Sequence, residues 1–203
     1  MKCAILISSG PIAVVCLTVA LLLWSSSGYV ATVDWERLFA GEVLVEAVDS
    51  NDAIPGVRAA FVVNADSDAI WAALIDYENF TDIFKEMDKV HVLEQDREGA
   101  TVEFWLSIFM VQYHYVLFRE YEIPRRKLTW RRVSGDLDRI EGAWEILQTP
   151  HAGAQLVIYE SYVDPGGVVP PALVRWRSLG KARDMAKRLR KWIEAHPPKN
   201  TSR

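Results

Sequence analysis

Between residues 89 and 163 the chain passes through six strand-length segments joined by connections too short for anything but a reversal of direction. The segments are residues 89–95, 101–110, 112–122, 127–133, 140–147 and 155–163. The breaks carry Glu98-Gly99, Pro124-Arg125, Gly135-Asp136 and the stretch from Thr149 to Gly153, all of them turn chemistry. A parallel pair needs a crossover of a dozen or more residues, so successive strands here are expected to be antiparallel neighbours.

Side-chain parity indicates which face of this meander is covered. Val102, Phe104, Leu106, Ile108 and Met110 are all apolar, whereas Thr101, Glu103, Trp105, Ser107 and Phe109 are mixed, so the even positions are expected to point inward. Tyr113, Tyr115 and Leu117 share a face of the next strand. Leu128 with Trp130, Ile140 with Trp144 and Ile146, and Leu156 with Ile158 and Tyr162 give each later strand an apolar side. Aromatic weight of this kind fills a core or lines a cavity, and periodicity does not separate the two.

Upstream, residues 34–39 suit one or two helical turns and residues 41–48 a strand. Residues 50–56 carry turn chemistry, and a second strand covers 59–63. Asp66 or Ser67 can cap a helix whose apolar face is Ile70, Trp71, Leu74 and Ile75; Asp76 to Asn79 breaks it before a second short helix over 80–84. At the other end, Pro170-Pro171 opens and Pro197-Pro198 stops a long helix over 171–195. Its stripe is Leu173, Trp176, Leu179, Ala182, Ala186, Leu189 and Ile193.

Residues 1–28 stand outside this scheme. Lys2 precedes an apolar run over 12–24, and Ser25 to Gly28 offers small residues for cleavage, the pattern of an export signal. Counted from Ala4 the apolar stretch reaches about 20 residues, enough to span a bilayer if it is retained. Cleaved export, to a periplasmic location, and an uncleaved tether both stand. Cys3 and Cys16 lie in this segment, so a chain beginning near Tyr29 has no thiol chemistry. The expected organisation is a signal peptide or anchor over 1–28, a linker with a short helix over 29–40, one domain over 41–196 and a disordered tail over 197–203.

The order of Ala65, Ile70, Trp71, Leu74, Asp76, Tyr77 and Phe80 resembles the opening of the START-like superfamily, the polyketide cyclase/dehydrase and lipid transport group. Gly135-Asp136-Leu137, Glu141-Gly142-Ala143-Trp144, Tyr159-Glu160, Asp164-Pro165-Gly166 and Val169-Pro170 resemble its coenzyme Q-binding members. The resemblance implies an α+β helix-grip fold: a curved antiparallel β-sheet wrapped around a long C-terminal α-helix, with two short helices after the first strands. It also implies a cavity for an apolar small molecule, such as an isoprenoid quinone or other lipid. The wall residues expected are Phe104, Leu106, Tyr113, Tyr115, Trp130, Trp144 and Tyr159, with Leu179, Ala186 and Leu189 from the closing helix.

Charge and motif content narrow the function further. The C-terminal helix carries eight basic residues against Asp184 and Glu194 in a chain of net charge −4, and Lys187, Arg188, Arg190 and Lys191 are candidates for contact with an anionic membrane surface. A solvated outer face is the plainer account of the same residues. A net acidic chain without the motifs of RNA-binding modules is not expected to bind nucleic acid. His91, His114, His151 and His196 lack metal-ligand spacing, and of these only His114 falls where a strand could carry it into a cavity. No cofactor, metal ligand or catalytic residue is assigned. Asp136, Glu141, Glu160 and Asp164 lie near turns or strand ends, where carboxylates are solvated or capping. Non-enzymatic binding or transport is the expected activity. The alternatives are a cyclase, dehydratase or hydrolase acting on a polyketide-like substrate in the same cavity, and a protein-interaction module with a closed core.

Overall fold

A computed structural model of the protein describes residues 33–50, 54–108, 111–166 and 171–197, the side chains of 108 and 171–176 excepted. The expected signal segment, residues 29–32 of the linker, Met110 and the tail beyond Pro197 lie outside the described residues. Helix α1 (Trp35–Phe39) is followed by β1 (Leu44–Asp49), β2 (Pro55–Val63), α2 (Ser67–Ile75) and α3 (Phe80–Ile83). Then come β3 (Met87–Gln95), β4 (Gly99–Ile108), β5 (Val111–Glu122), β6 (Lys127–Gly135), β7 (Arg139–Gln148), β8 (Gln155–Asp164) and the 25-residue α4 (Pro171–Ala195). β1 starts later than the sequence suggests because the chain leaves α1 through Gly41 at φ +87°, a left-handed conformation that glycine adopts without strain.

The eight strands form one curved antiparallel sheet in the order β1-β2-β8-β7-β6-β5-β4-β3. Six are a meander, and the β1–β2 hairpin joins it through β2 and β8, where Val57 pairs with Ser161 and Ala59 with Tyr159. This is the helix-grip architecture expected from the sequence. Asp66 caps α2, its Oδ1 accepting from the Ala69 amide at 2.7 Å, and the α2 side chains Ile70, Trp71 and Leu74 are buried.

Helix α4 lies on the inner face of β1 and β2. Ala182, Ala186, Leu189 and Ile193 are buried there with Ala59, Phe61 and Val63 in one core cluster. Burial of Leu189 and Ile193 contributes roughly 1.5–3 kcal/mol each.

One strand departs from the expected parity. On β8 the inward positions are Val157, Tyr159, Ser161 and Val163. Leu156, Ile158 and Tyr162 point the other way, and Leu156 and Ile158 are nonetheless buried. The outer face is covered at this end because α1 packs against β2, with Leu38, Ala60 and Val62 buried alongside them. β8 is apolar on both sides, so alternation could not identify its inner one.

Candidate ligand site

The inner face of the sheet is organised in lateral rows set by strand register. One row runs Ala100, Arg119, Trp130, Gly142, Ser161 and Val57; the next runs Tyr121, Leu128, Trp144, Tyr159 and Ala59. In the first row two small residues, Gly142 and Ser161, stand beside the large Trp130. In the second, Trp144 and Tyr159 are adjacent with ring centroids 4.6 Å apart, and Trp130 stacks on Tyr159 at 5.8 Å. The Trp130 indole covers Gly142, and the space beside Ser161 is left as a hollow walled by the aromatic cluster.

That hollow is an inner cavity of about 120 Å3. It is lined by Phe104, Tyr115, Arg119, Trp130, Trp144, Tyr159 and Ser161 from the sheet, Phe80 and Phe84 from the α3 segment, and Met185 from α4. A second chamber of about 210 Å3 shares Phe84, Met87, Tyr159, Ser161 and Met185 with it, and continues past Val57, Leu106, Val163 and Ala182 to Glu86, Ser178 and Lys181. Together the two reach the lower end of the roughly 300–1,000 Å3 typical of small-molecule sites.

Of the residues expected on the wall, Phe104, Tyr115, Trp130, Trp144 and Tyr159 line the inner cavity and Leu106 the outer chamber. Tyr113 packs against the core but lines neither. Leu179 faces a separate open hollow with Val45, Arg177 and Arg183. Ala186 and Leu189 are fully buried against the sheet, so they hold the helix down instead of facing the ligand space. Met185, one position away on α4, is the helix residue that lines both chambers. The stripe shows which side of α4 faces the sheet, but not which of its residues stand over a hollow.

Arg119 was missed by the sequence reasoning. Strand parity places it inward with Tyr115 and Leu117, a cation on an otherwise apolar face, and that incongruity was the available signal. Its residue exposure is 4%. The guanidinium carbon lies 4.9 Å from the Tyr77 ring centroid and 5.2 Å from that of Phe80. Nη1 is buried with no hydrogen-bond partner. The tyrosine hydroxyls nearby stay protonated at any ordinary pH: burial pushes Tyr115 well up, with Tyr159 adding to the shift and Arg119 opposing it, and burial likewise raises Tyr159. Tyr121 is raised by burial and by its hydrogen bond to Tyr77, the two hydroxyls being 2.7 Å apart.

The outer chamber is bordered by an ion-pair cluster between the α3–β3 connection and α4. Lys181 Nζ donates to Glu86 Oε1 at 3.0 Å and Arg188 Nη2 to Oε2 at 2.6 Å. Burial alone would raise the Glu86 carboxyl, but these bonds outweigh it and hold the group below its ordinary value. With the folded value below the unfolded one, the contribution is complete at neutral pH and is lost as pH falls through the carboxylate range. Arg190 donates to the Gly41 carbonyl at 2.9 Å. Two of the four basic residues expected at a membrane surface are therefore engaged within the domain, whereas Lys187 and Lys191 are exposed.

The carboxylates and histidines singled out from the sequence have other partners. Asp136 accepts from the His114 amide at 2.7 Å, Glu141 pairs with Arg139 at 2.8 Å, Glu160 pairs with Arg58, and Asp164 accepts from the Gly166 amide. His114 is on the outer face, not in the cavity: its Nε2 is 2.7 Å from Glu103 Oε1, and its ring stacks on Trp105. His151 stacks on Phe39 and His196 on Trp192. Among the described residues no three His, Cys, Asp or Glu side chains cluster as metal ligands do.

Solved structures with this architecture include the Zhui aromatase/cyclase from a Streptomyces species, with a TM-score of 0.60 and 16% identity over 75% of this chain and 96% of that one. The STAR-related lipid transfer protein from Xanthomonas axonopodis aligns with a TM-score of 0.63 and 17% identity, over 75% and 93%. Human STARD10 aligns with a TM-score of 0.63 and 12% identity, over 76% and 70%. At these identities the likeness is one of fold. No curated protein matches the chain. Residues 63–190, which run from the end of β2 almost to the end of α4, match the family model for polyketide cyclase/dehydrase and lipid transport. With strand order, helix placement and sequence in agreement, the chain belongs to the polyketide cyclase/dehydrase and lipid transport family of START-like proteins.

Proposed function

We propose that the protein binds and carries an apolar small molecule, such as an isoprenoid quinone or another lipid, without changing it chemically. The observation that carries this reading is the two-chambered space between sheet and α4, whose wall is aromatic and aliphatic apart from Arg119, Ser161 and tyrosine hydroxyls inside and an ion-pair cluster at the rim. Burying an acyl or prenyl chain contributes about 0.8 kcal/mol per CH2 group, so a chain of around ten carbons supplies useful affinity with no catalytic group. The cyclase reading is less well supported, because none of the carboxylates or histidines weighed as acids or bases lines the inner cavity. A lone cation offers no proton transfer. Native mass spectrometry after mild purification is expected to show an apolar adduct. Repeated recovery of the bare mass, with no uptake of added lipid, would overturn the proposal.

The proposed setting is outside the cytoplasm, close to a membrane, with α4 towards the headgroups. The apolar N-terminal sequence supports the location, and the exposed Lys187 and Lys191 support the orientation. Basic residues near an anionic surface contribute on the order of 1 kcal/mol each. Binding to vesicles containing phosphatidylserine, over neutral ones, is therefore expected to weaken roughly thirtyfold at low salt in Lys187→Gln/Lys191→Gln. It should also weaken as salt shortens the screening length. Sedimentation that is equal for neutral and anionic vesicles would reduce α4 to a solvated lid.

A further inference from the structure

Arg119 is a charge placed where charge is costly. A guanidinium in an aromatic pocket loses its hydration, and such groups are ordinarily found paired with a carboxylate or fully hydrogen-bonded. Here the faces of Tyr77 and Phe80 give partial compensation, while Nη1 remains buried and unpaired in a residue that lines the inner cavity. Among the described residues no carboxylate pairs with it. Its strand neighbours, Ala100 and Trp130, offer no side-chain acceptor either. What the site lacks is an oxygen anion, and the inner cavity that Arg119 lines together with Ser161 is where one can sit.

We propose that the ligand is an amphiphile with a carboxylate head, bound head-first, its carboxylate on Arg119 and its chain lying in the outer chamber along Leu106, Val163 and Met185. This rests on the reading of the cavity as a site for an apolar molecule, and it adds the head group and the direction of entry. The two chambers differ in the way such a ligand requires. The inner one is lined by Arg119 with its unpaired Nη1, whereas the outer one is mainly apolar beyond the Tyr159 and Ser161 that the two share, until Ser178 and the rim at Glu86 and Lys181. A planar donor fork suits the two oxygens of a carboxylate, and a charge-assisted bond in an enclosed pocket is stronger than in water. The same pocket disfavours an uncharged head, which leaves the cation unpaired.

The test is calorimetric titration of the full-length protein at pH 7 with decanoate and with 1-decanol, in the native form, Arg119→Met and Arg119→Lys. The native protein is expected to bind decanoate at least tenfold more tightly than decanol, although the alcohol is the more readily desolvated. Arg119→Met should lose that preference while still binding decanol, and Arg119→Lys should keep part of it. Without ligand, Arg119→Met should melt no lower than the native protein, since it removes an unpaired buried charge. Equal affinity of the native protein for the two ligands would overturn the head-group assignment and leave the apolar site standing. Binding of neither would overturn the apolar site itself, and this proposal with it. A preference that survives in Arg119→Met, or a melting temperature several degrees lower in that variant, would make Arg119 a packing residue and overturn the proposal.

Discussion

Gly142→Val is expected to destabilise the protein by about 3 kcal/mol or more and to abolish ligand uptake in whatever fraction still folds. A Cβ at this position would fall on the Glu160 carbonyl oxygen and on the Trp130 indole, well inside van der Waals contact. The carbonyl belongs to the neighbouring strand and cannot move without opening the β7–β8 ladder, where Gly142 pairs with Ser161. The indole could swing away only into the inner cavity. Strand geometry and cavity shape thus depend on the same missing side chain. For a domain of this size the loss corresponds to a fall in Tm on the order of 6–12 °C, readable by thermal denaturation followed by circular dichroism. A variant melting within a degree or two of the native protein would show that the sheet relaxes around position 142.

Phe61→Ala is expected to cost about 3–5 kcal/mol. Phe61 is fully buried on β2, with its ring edge-on to Trp144 at a centroid distance of 6.5 Å and an interplanar angle of 85°. It stands behind the wall residue and beneath α4, so its removal leaves a void that neither the sheet nor the helix can close without losing other contacts. Chemical denaturation should show a lower midpoint with an unchanged slope. Trp144 loses its backing as well, so uptake of a fluorescent acyl probe should weaken with stability held constant at low temperature. A loss below 1 kcal/mol would mean that the core around Phe61 repacks freely.

These two positions illustrate what the sequence made legible. The meander followed from turn residues and short connections, and its inner face from the parity of β4 to β7, whereas only the resemblance to START-like proteins implied that this aromatic face lines a cavity. Where parity carried no contrast, as on β8 with Leu156 and Ile158 of the outer face buried as well, the inner side could not be read. Helix periodicity picked out Ala186 and Leu189 as facing the sheet, but only the three-dimensional packing shows that Met185 stands over the cavity. The basic residues of α4 looked equivalent in sequence. Arg188 and Arg190 differ from Lys187 because their partners, Glu86 and the carbonyls of Gly41 and Val62, come from far upstream. Arg119 went unread because an average over an apolar strand conceals its one cation.

The pairing of β2 with β8, and the seating of α4 on β2, bear on how the molecule can be made. β2 is among the first strands to leave the ribosome, yet its ladder partner and its helical cover are among the last. Arg58 meets Glu160 across 102 residues, and Val62 meets Arg190 across 128. Contacts at such separation form only after a large loss of loop entropy, which places the chain among slow, late-condensing folds. During synthesis the apolar inner face of β2 therefore stays without its partners until nearly the whole domain has emerged. A nascent chain in that state is one that an export machine can still thread and a chaperone can still hold.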